Sequence, residues 1–241
     1  MTNTTAAAAE AAPKSLLARF FGIITSPQAT FRSVVAHPAW FGMMALICVG
    51  MALMVGGYLF TKTGQQAWLD AATGGSFGGP VSDQQYAAMA KFAPYVGWFG
   101  VAQMLVFAPI IYLVTAGILF AVFNAALGGT ATFKQLLAVV VHSSAVSLLG
   151  QFFTMPMNFL RGTLSSSSNL AVLLPMVEET SFLGRLLGMV DLFIIWWLLV
   201  LAIGLGVLFR RRTQPIAISL MAVYAVIAVV VAIVRSRMGG A

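Results

Sequence analysis

Charge is what this sequence most lacks: 8% of its 241 residues are Asp, Glu, Lys or Arg. A soluble domain carries about 25%, so this chain cannot clothe a globular surface in solvated side chains. Its single cysteine, Cys48, lies in an apolar run. That excludes an intrachain disulfide, and in lipid such a thiol serves as a small apolar filler. Two histidines without a Cys/His/acid cluster give no credible metal site, and no cofactor is expected. No nucleophile elbow is expected, because the Gly-x-Ser-x-Gly spacing inside "TGGSFGGP" follows no strand, and the same stretch lacks the Gly-Lys-Ser/Thr ending of a phosphate-binding loop. No apolar core follows Lys14 and Arg19 before "TSPQ", so a signal peptide is not expected.

Apolar residues are what the chain has: 60% are hydrophobic, with a mean hydropathy of +0.95. The fold class expected is all-α, a polytopic membrane protein with a bundle of five transmembrane helices preceded by short interfacial helices. A span needs about 20 residues at 1.5 Å each, and residues 39–60, 94–127, 135–160, 186–209 and 216–234 qualify. The second is overlong and contains Pro109, which predicts a tilt, a kink or a projection beyond the lipid. The net charge of +7 sits at the ends of these runs. That placement fits orientation signals and anionic headgroups and argues against nucleic acid.

The domain boundaries expected are a disordered tail at 1–13, cytoplasmic interfacial helices at 14–38, a five-span domain at 39–235 and a tail at 236–241. The Arg210-Arg211-Arg212 triplet and Lys134 crowd two short loops, whereas Asp70, Asp83, Glu178 and Glu179 fall in the opposite ones. Density of basic residues therefore predicts a cytoplasmic N-terminus and an external C-terminus. Ser26-Pro27 predicts a helix start, with the serine capping and the proline in the first turn. Phe31, Val34 and Val35 follow at helical spacing, and Leu16, Leu17, Phe20 and Phe21 repeat the theme upstream. Phe20, Phe21, Phe31 and Arg32 are thus candidates for anchoring the segment on the membrane surface. Ser82 and Gln85 have capping-box spacing. The row Gly117, Ala121, Ala125 predicts close helix approach, and the apolar 170–176 stretch is a candidate for dipping into the interface.

Three stretches, "SPQATFRSVVAHP", "VFNAALGGTATFKQLLAVVVHSSAV" and "VDLFIIWWLLVLAIGL", stand in an order that resembles bacterial members of the Yip family, the Ypt/Rab-interacting membrane proteins. The resemblance covers about residues 16 to 235 and implies five spans with a cytoplasmic N-terminus, in a bacterial inner membrane. Eukaryotic relatives carry an acidic Asp-Leu-x-Gly-Pro type motif linked to small GTPases. The N-terminal tail here has one acid, Glu10, so a Rab-type partner is not expected.

Polar groups inside spans are costly and functional by default. His142, with Ser143 and Ser144, and Asp191 invite a catalytic triad. The rise per residue, however, puts His142 about 10 Å and Asp191 about 27 Å above their inner ends. That is too far for proton transfer. Tyr112, Gln151 and Asp191 instead fall at about 22 to 27 Å on three helices. They form either a polar cluster, or Asp191 snorkels and pairs with Arg185. His142 reads as a packing or pH-sensitive polar residue. The function expected is a non-enzymatic membrane organiser that interacts with anionic lipids, other membrane proteins or a second copy. The alternative is a small transporter, channel or lipid-handling protein, and an intramembrane hydrolase ranks third.

Overall fold

A computed structural model describes residues 15–73, 81–174, 176–178 and 181–238. The helices are α1 Leu16–Thr25, α2 Pro27–Ala36, α3 Phe41–Leu59, α4 Lys62–Thr73, α5 Asp83–Phe92, α6 Val96–Ala102 and α7 Ala108–Phe120. Then come α8 Phe133–Ser143, α9 Ala145–Arg161, α10 Leu170–Leu173, α11 Phe182–Met189, α12 Leu192–Phe209 and α13 Thr213–Met238. Among the described residues there is no strand, only an isolated bridge between Asn169 and Asp191. Five helical runs are long and apolar enough to cross a membrane: Phe41–Leu59, Asp83–Ala126, Phe133–Arg161, Leu192–Phe209 and Thr213–Arg237. The glycine-rich "GGSFGGP" at 74–80 and the tail at 1–13 lie outside the described residues.

The second run is a 44-residue helix that starts where the Ser82/Gln85 spacing predicts. Ser82 Oγ accepts from Gln85 N, and Gln85 Oε1 accepts from Ser82 N. A 3-10 turn at Ala93–Tyr95 accommodates Pro94, and a π-turn at Gln103–Phe107 precedes Pro109. Proline has no N–H for the preceding turn and crowds it, so the helix widens there rather than breaking. The fourth run begins at Leu192, not at residue 186 as its apolar composition suggested, because α11 ends at Met189 and Val190 is extended.

The chain divides into two compact units. The first comprises residues 1–49, 106–148 and 196–221. Its centre is α8, in which every residue from 136 to 143 is buried. Thr132 caps α8 in a reciprocal box with Gln135, and Gln135 Nε2 also donates to the Val35 carbonyl of α2. The helices α1, α2 and α7 all pack against α8. Gly204 makes room on α12: a Cβ there would lie 2.6 Å from Val139 Cγ1 and 2.9 Å from Phe31 Cζ. The Ser26 side chain makes no capping bond, contrary to its sequence signal. Its backbone N–H closes α1 on the Gly22 carbonyl, and Pro27 has no N–H that needs a cap.

The second unit comprises residues 50–105, 149–195 and 222–241. Here small residues permit close approach: a Cβ at Gly97 would strike the Phe60 ring, and one at Gly100 would come 2.8 Å from Leu59 Cδ1. Gly117 of the first unit behaves otherwise, since nothing lies within 4 Å of its absent Cβ. The small-residue row at 117 thus does not seat a neighbouring helix, and the interface it suggested is built at 97 and 100 instead.

Candidate functional site

In the first unit, three successive polar side chains bond back to their own helix. His142 Nδ1 donates to the Ala138 carbonyl at 2.7 Å, Ser143 Oγ to Val139 at 2.8 Å, and Ser144 Oγ to Val140 at 3.1 Å. Such back-bonding competes with the backbone ladder and bends helices, and α8 gives way to α9 at Ser144. A carbonyl only accepts, so Nδ1 carries the proton. Nε2 of the fully buried His142 then has no hydrogen-bond partner. Tyr112 lies on α7, which packs against α8, and so shares a unit with His142 rather than with Gln151 and Asp191.

Asp191 belongs to the second unit and is buried. It is not inside a span: it N-caps α12, Oδ1 accepting from the amides of Phe193 at 2.8 Å and Ile194 at 3.3 Å. Oδ2 accepts from Ser166 Oγ at 2.5 Å and Ser168 Oγ at 2.6 Å. The backbone follows the side chains, with Leu170 N donating to Val190 O and Leu192 N to Ser168 O. These four side-chain bonds come from the serine run and the helix start, in place of the Gln151 that helix depth suggested and the Arg185 of the snorkelling alternative. Gln151 keeps Oε1 buried without a partner, and Arg185 donates to the Arg235 carbonyl.

The serine loop is laced further into α9. Asn158, with its amide nitrogen toward Ser167 Oγ at 2.7 Å, also donates to the carbonyls of Thr154 at 3.2 Å and Ser165 at 3.0 Å. The Tyr58 hydroxyl reaches the carbonyls of Asn158 and Thr163 at 3.2 and 3.1 Å. Asn158, Ser166 and Ser168 were not singled out from the sequence. "SSSSN" ahead of Asp191 and an apolar run was the available signal, since an acid just before such a run marks a helix N-cap.

The proposed surface anchors divide. Phe31 is fully buried and Phe20 nearly so, whereas Phe21 is 60% exposed. Phe31 therefore faces protein, seated against Gly204, and is not a lipid anchor. Arg32 is exposed. α1 is tied down by Arg19 Nη1, which donates to the Ala39 carbonyl at 3.2 Å, and its outer side carries Leu17, also 60% exposed.

Among the described residues, no group of three or more His, Cys, Asp or Glu comes together as a metal would require. Among the described residues, neither unit brings a nucleophile, a base and an orienting acid into one hydrogen-bonded chain. What both do contain is polar side chains spent on helix geometry.

No solved structure matches the chain. It is similar to "Membrane protein YknW" of Bacillus subtilis (strain 168), 27% identical over 195 residues that cover 77% of this chain and 76% of that one. The sequence model of the Yip1 domain matches residues 21–234. With nearly the whole described chain inside that match, and five runs able to span a membrane, the protein belongs to the Yip1 domain family.

Proposed function

We propose that this protein is a non-enzymatic membrane organiser that works through its lipid- and protein-facing surfaces. One observation carries the reading: the hydroxyls of Ser143 and Ser144, Nδ1 of His142 and the carboxylate of Asp191 are each closed on partners within their own unit. The three consecutive bonds of His142, Ser143 and Ser144 end on their own helix, and Asp191 is saturated by two serines and two amides. Catalysis needs groups left free to exchange protons or attack, and a conducting path needs polar atoms facing water. The segment 14–38 serves as the cytoplasmic face of the organiser, with Leu17 and Phe21 of α1 turned to lipid. In this reading the chain lies in a bacterial inner membrane, N-terminus in the cytoplasm and C-terminus outside, and takes anionic lipids, other membrane proteins or a second copy as partners. Nucleic acid and Rab-type GTPases are not among them.

The rival reading, a small transporter, draws on one specific observation. His142 Nε2 is buried without a partner, the arrangement of a side chain that could pass a proton. Proteoliposome flux separates the two. The organiser reading expects no proton or ion flux above empty vesicles, and none changed by Asp191→Asn or His142→Gln. A flux in the parent protein that one of these substitutions abolishes overturns it.

A further inference from the structure

The net charge of the chain is carried almost wholly by one of its units. By sequence, the first unit contains seven basic residues (Lys14, Arg19, Arg32, Lys134, Arg210, Arg211 and Arg212) and one acid, Glu10. The second contains six basic residues and five acids. Six of the seven net positive charges thus belong to the first unit, and among its described residues there is no Asp or Glu at all.

Within that unit, two short loops are fastened to each other. Arg211 Nη2 donates to the Leu127 carbonyl at 3.1 Å, and Arg211 N donates to the Gly206 carbonyl. The rings of Phe123 and Phe209 stack at 4.7 Å and 19°. A Cβ on Gly129 would meet the Phe209 ring at 2.6 Å, so glycine is what lets the loops approach this closely. Arg211 is therefore structural. Its neighbours Arg210 and Arg212, with Lys134 in the first turn of α8, are exposed.

Arg210 adds a conformational clue. Its φ is +52°, a left-handed backbone that costs a side-chain-bearing residue roughly 1–2 kcal/mol and costs glycine nothing. An arginine stands where glycine would fold more easily. Thr213 then opens a helix of 26 residues without an acid in its first turn, although basic residues there add to the positive end of the helix dipole. All of this positive potential asks for a counter-anion that the unit's described residues do not supply.

We propose that Lys134, Arg210 and Arg212 form a headgroup site for anionic phospholipid, held in place by the Arg211 clasp between the two loops. Charge complementarity and the apolar rings just behind the basic groups select an anion attached to a lipid. This deepens the organiser reading by naming its lipid. Lipid selectivity and solute flux are read in separate assays, so either can fail alone.

The test uses the full chain purified in neutral detergent, titrated with phosphatidylglycerol, phosphatidylcholine or inorganic phosphate and followed by thermal unfolding and by lipid retention in native mass spectrometry. The parent protein is expected to retain phosphatidylglycerol over phosphatidylcholine. Selectivity should fall about fivefold for each basic residue removed and about a hundredfold in the triple variant Lys134→Gln, Arg210→Gly, Arg212→Gln. Arg210→Gly relieves the left-handed strain, so on its own it should bind more weakly without melting earlier. Lys62→Gln with Lys91→Gln, in the second unit, should leave selectivity as it was. Equal retention of both lipids by the parent, an unaffected triple variant, or an equal loss in the second-unit control each overturns the proposal. A response to inorganic phosphate matching that to lipid overturns it too, in favour of a free-anion site.

Discussion

In the first unit, His142, Ser143 and Ser144 each return a hydrogen bond to a carbonyl four residues earlier. In the second, Asp191 takes hydroxyls from serines 23 and 25 residues away. The local solution leaves the surrounding side chains free to pack as an apolar core, and Phe31, Val139 and Gly204 use that freedom. The long-range solution does the opposite, because the polar bonds themselves fasten the loop after α9 to the start of α12. The His142–Ser144 run is therefore tolerated, whereas Asp191 and its two serines are fasteners.

The comparison is broken most directly by emptying the apolar seat. Phe31→Ala should destabilise the protein by about 3 kcal/mol or more, the usual cost of deleting a buried phenyl ring. Unfolding in detergent measures it, and protection of the serine loop from proteolysis should survive in the folded fraction. Asp191→Ala removes an N-cap and takes the carboxylate from two half-buried hydroxyls, for about 2 kcal/mol. It should speed the labelling of a cysteine placed at Leu164, half-buried in the same loop, whereas Asp191→Asn should retain most of the protection at about 1–2 kcal/mol. If Asp191→Ala left labelling unchanged, the fastener would not be one.

His142→Leu sharpens the other side of the contrast. It removes a side chain bonded only within its own helix and replaces it with an apolar one of similar size. Its effect should be within about 1 kcal/mol, and in the stabilising direction if the unpartnered Nε2 costs anything. A loss above 3 kcal/mol would mean that this histidine holds something besides Ala138. The smallest effect belongs to Phe21→Ser. That ring is exposed, so stability should change by roughly 0.5 kcal/mol or less. The depth of a spin label on α1 should nonetheless become shallower as the helix loses its lipid contact.

The number of spans and the helix start at Ser82 were legible because both depend on local features, an apolar length and a three-residue spacing. The direction of Phe31 was not. A stripe of apolar side chains is equally content against lipid and against protein, so only the absent Cβ of Gly204, far along the chain, decides between them. Asp191 was placed inside a span for a related reason. The apolar residues of α11 run into those of α12, and the break between them is a backbone change at Val190 that hydropathy does not register. Arg210 was legible as charge, but its left-handed φ was not. The Gly117 row was misread since small residues permit contact without requiring it.

The seat of Phe31 also has a history. Gly204 is synthesised 173 residues after Phe31, an interval of about 10–35 s at ordinary elongation rates. Throughout it, the ribosome has delivered α2 but not the wall that will cover it. Lipid would be the nearest apolar cover for the nascent stripe of Phe31 and Val34, and the surface-bound helices expected from the amphipathic pattern would then describe the chain during biogenesis. Arrival of the fourth span then draws the same face off the leaflet and into the protein. Chains stalled before Gly204 should crosslink to lipid through position 31, and chains released beyond α12 should not.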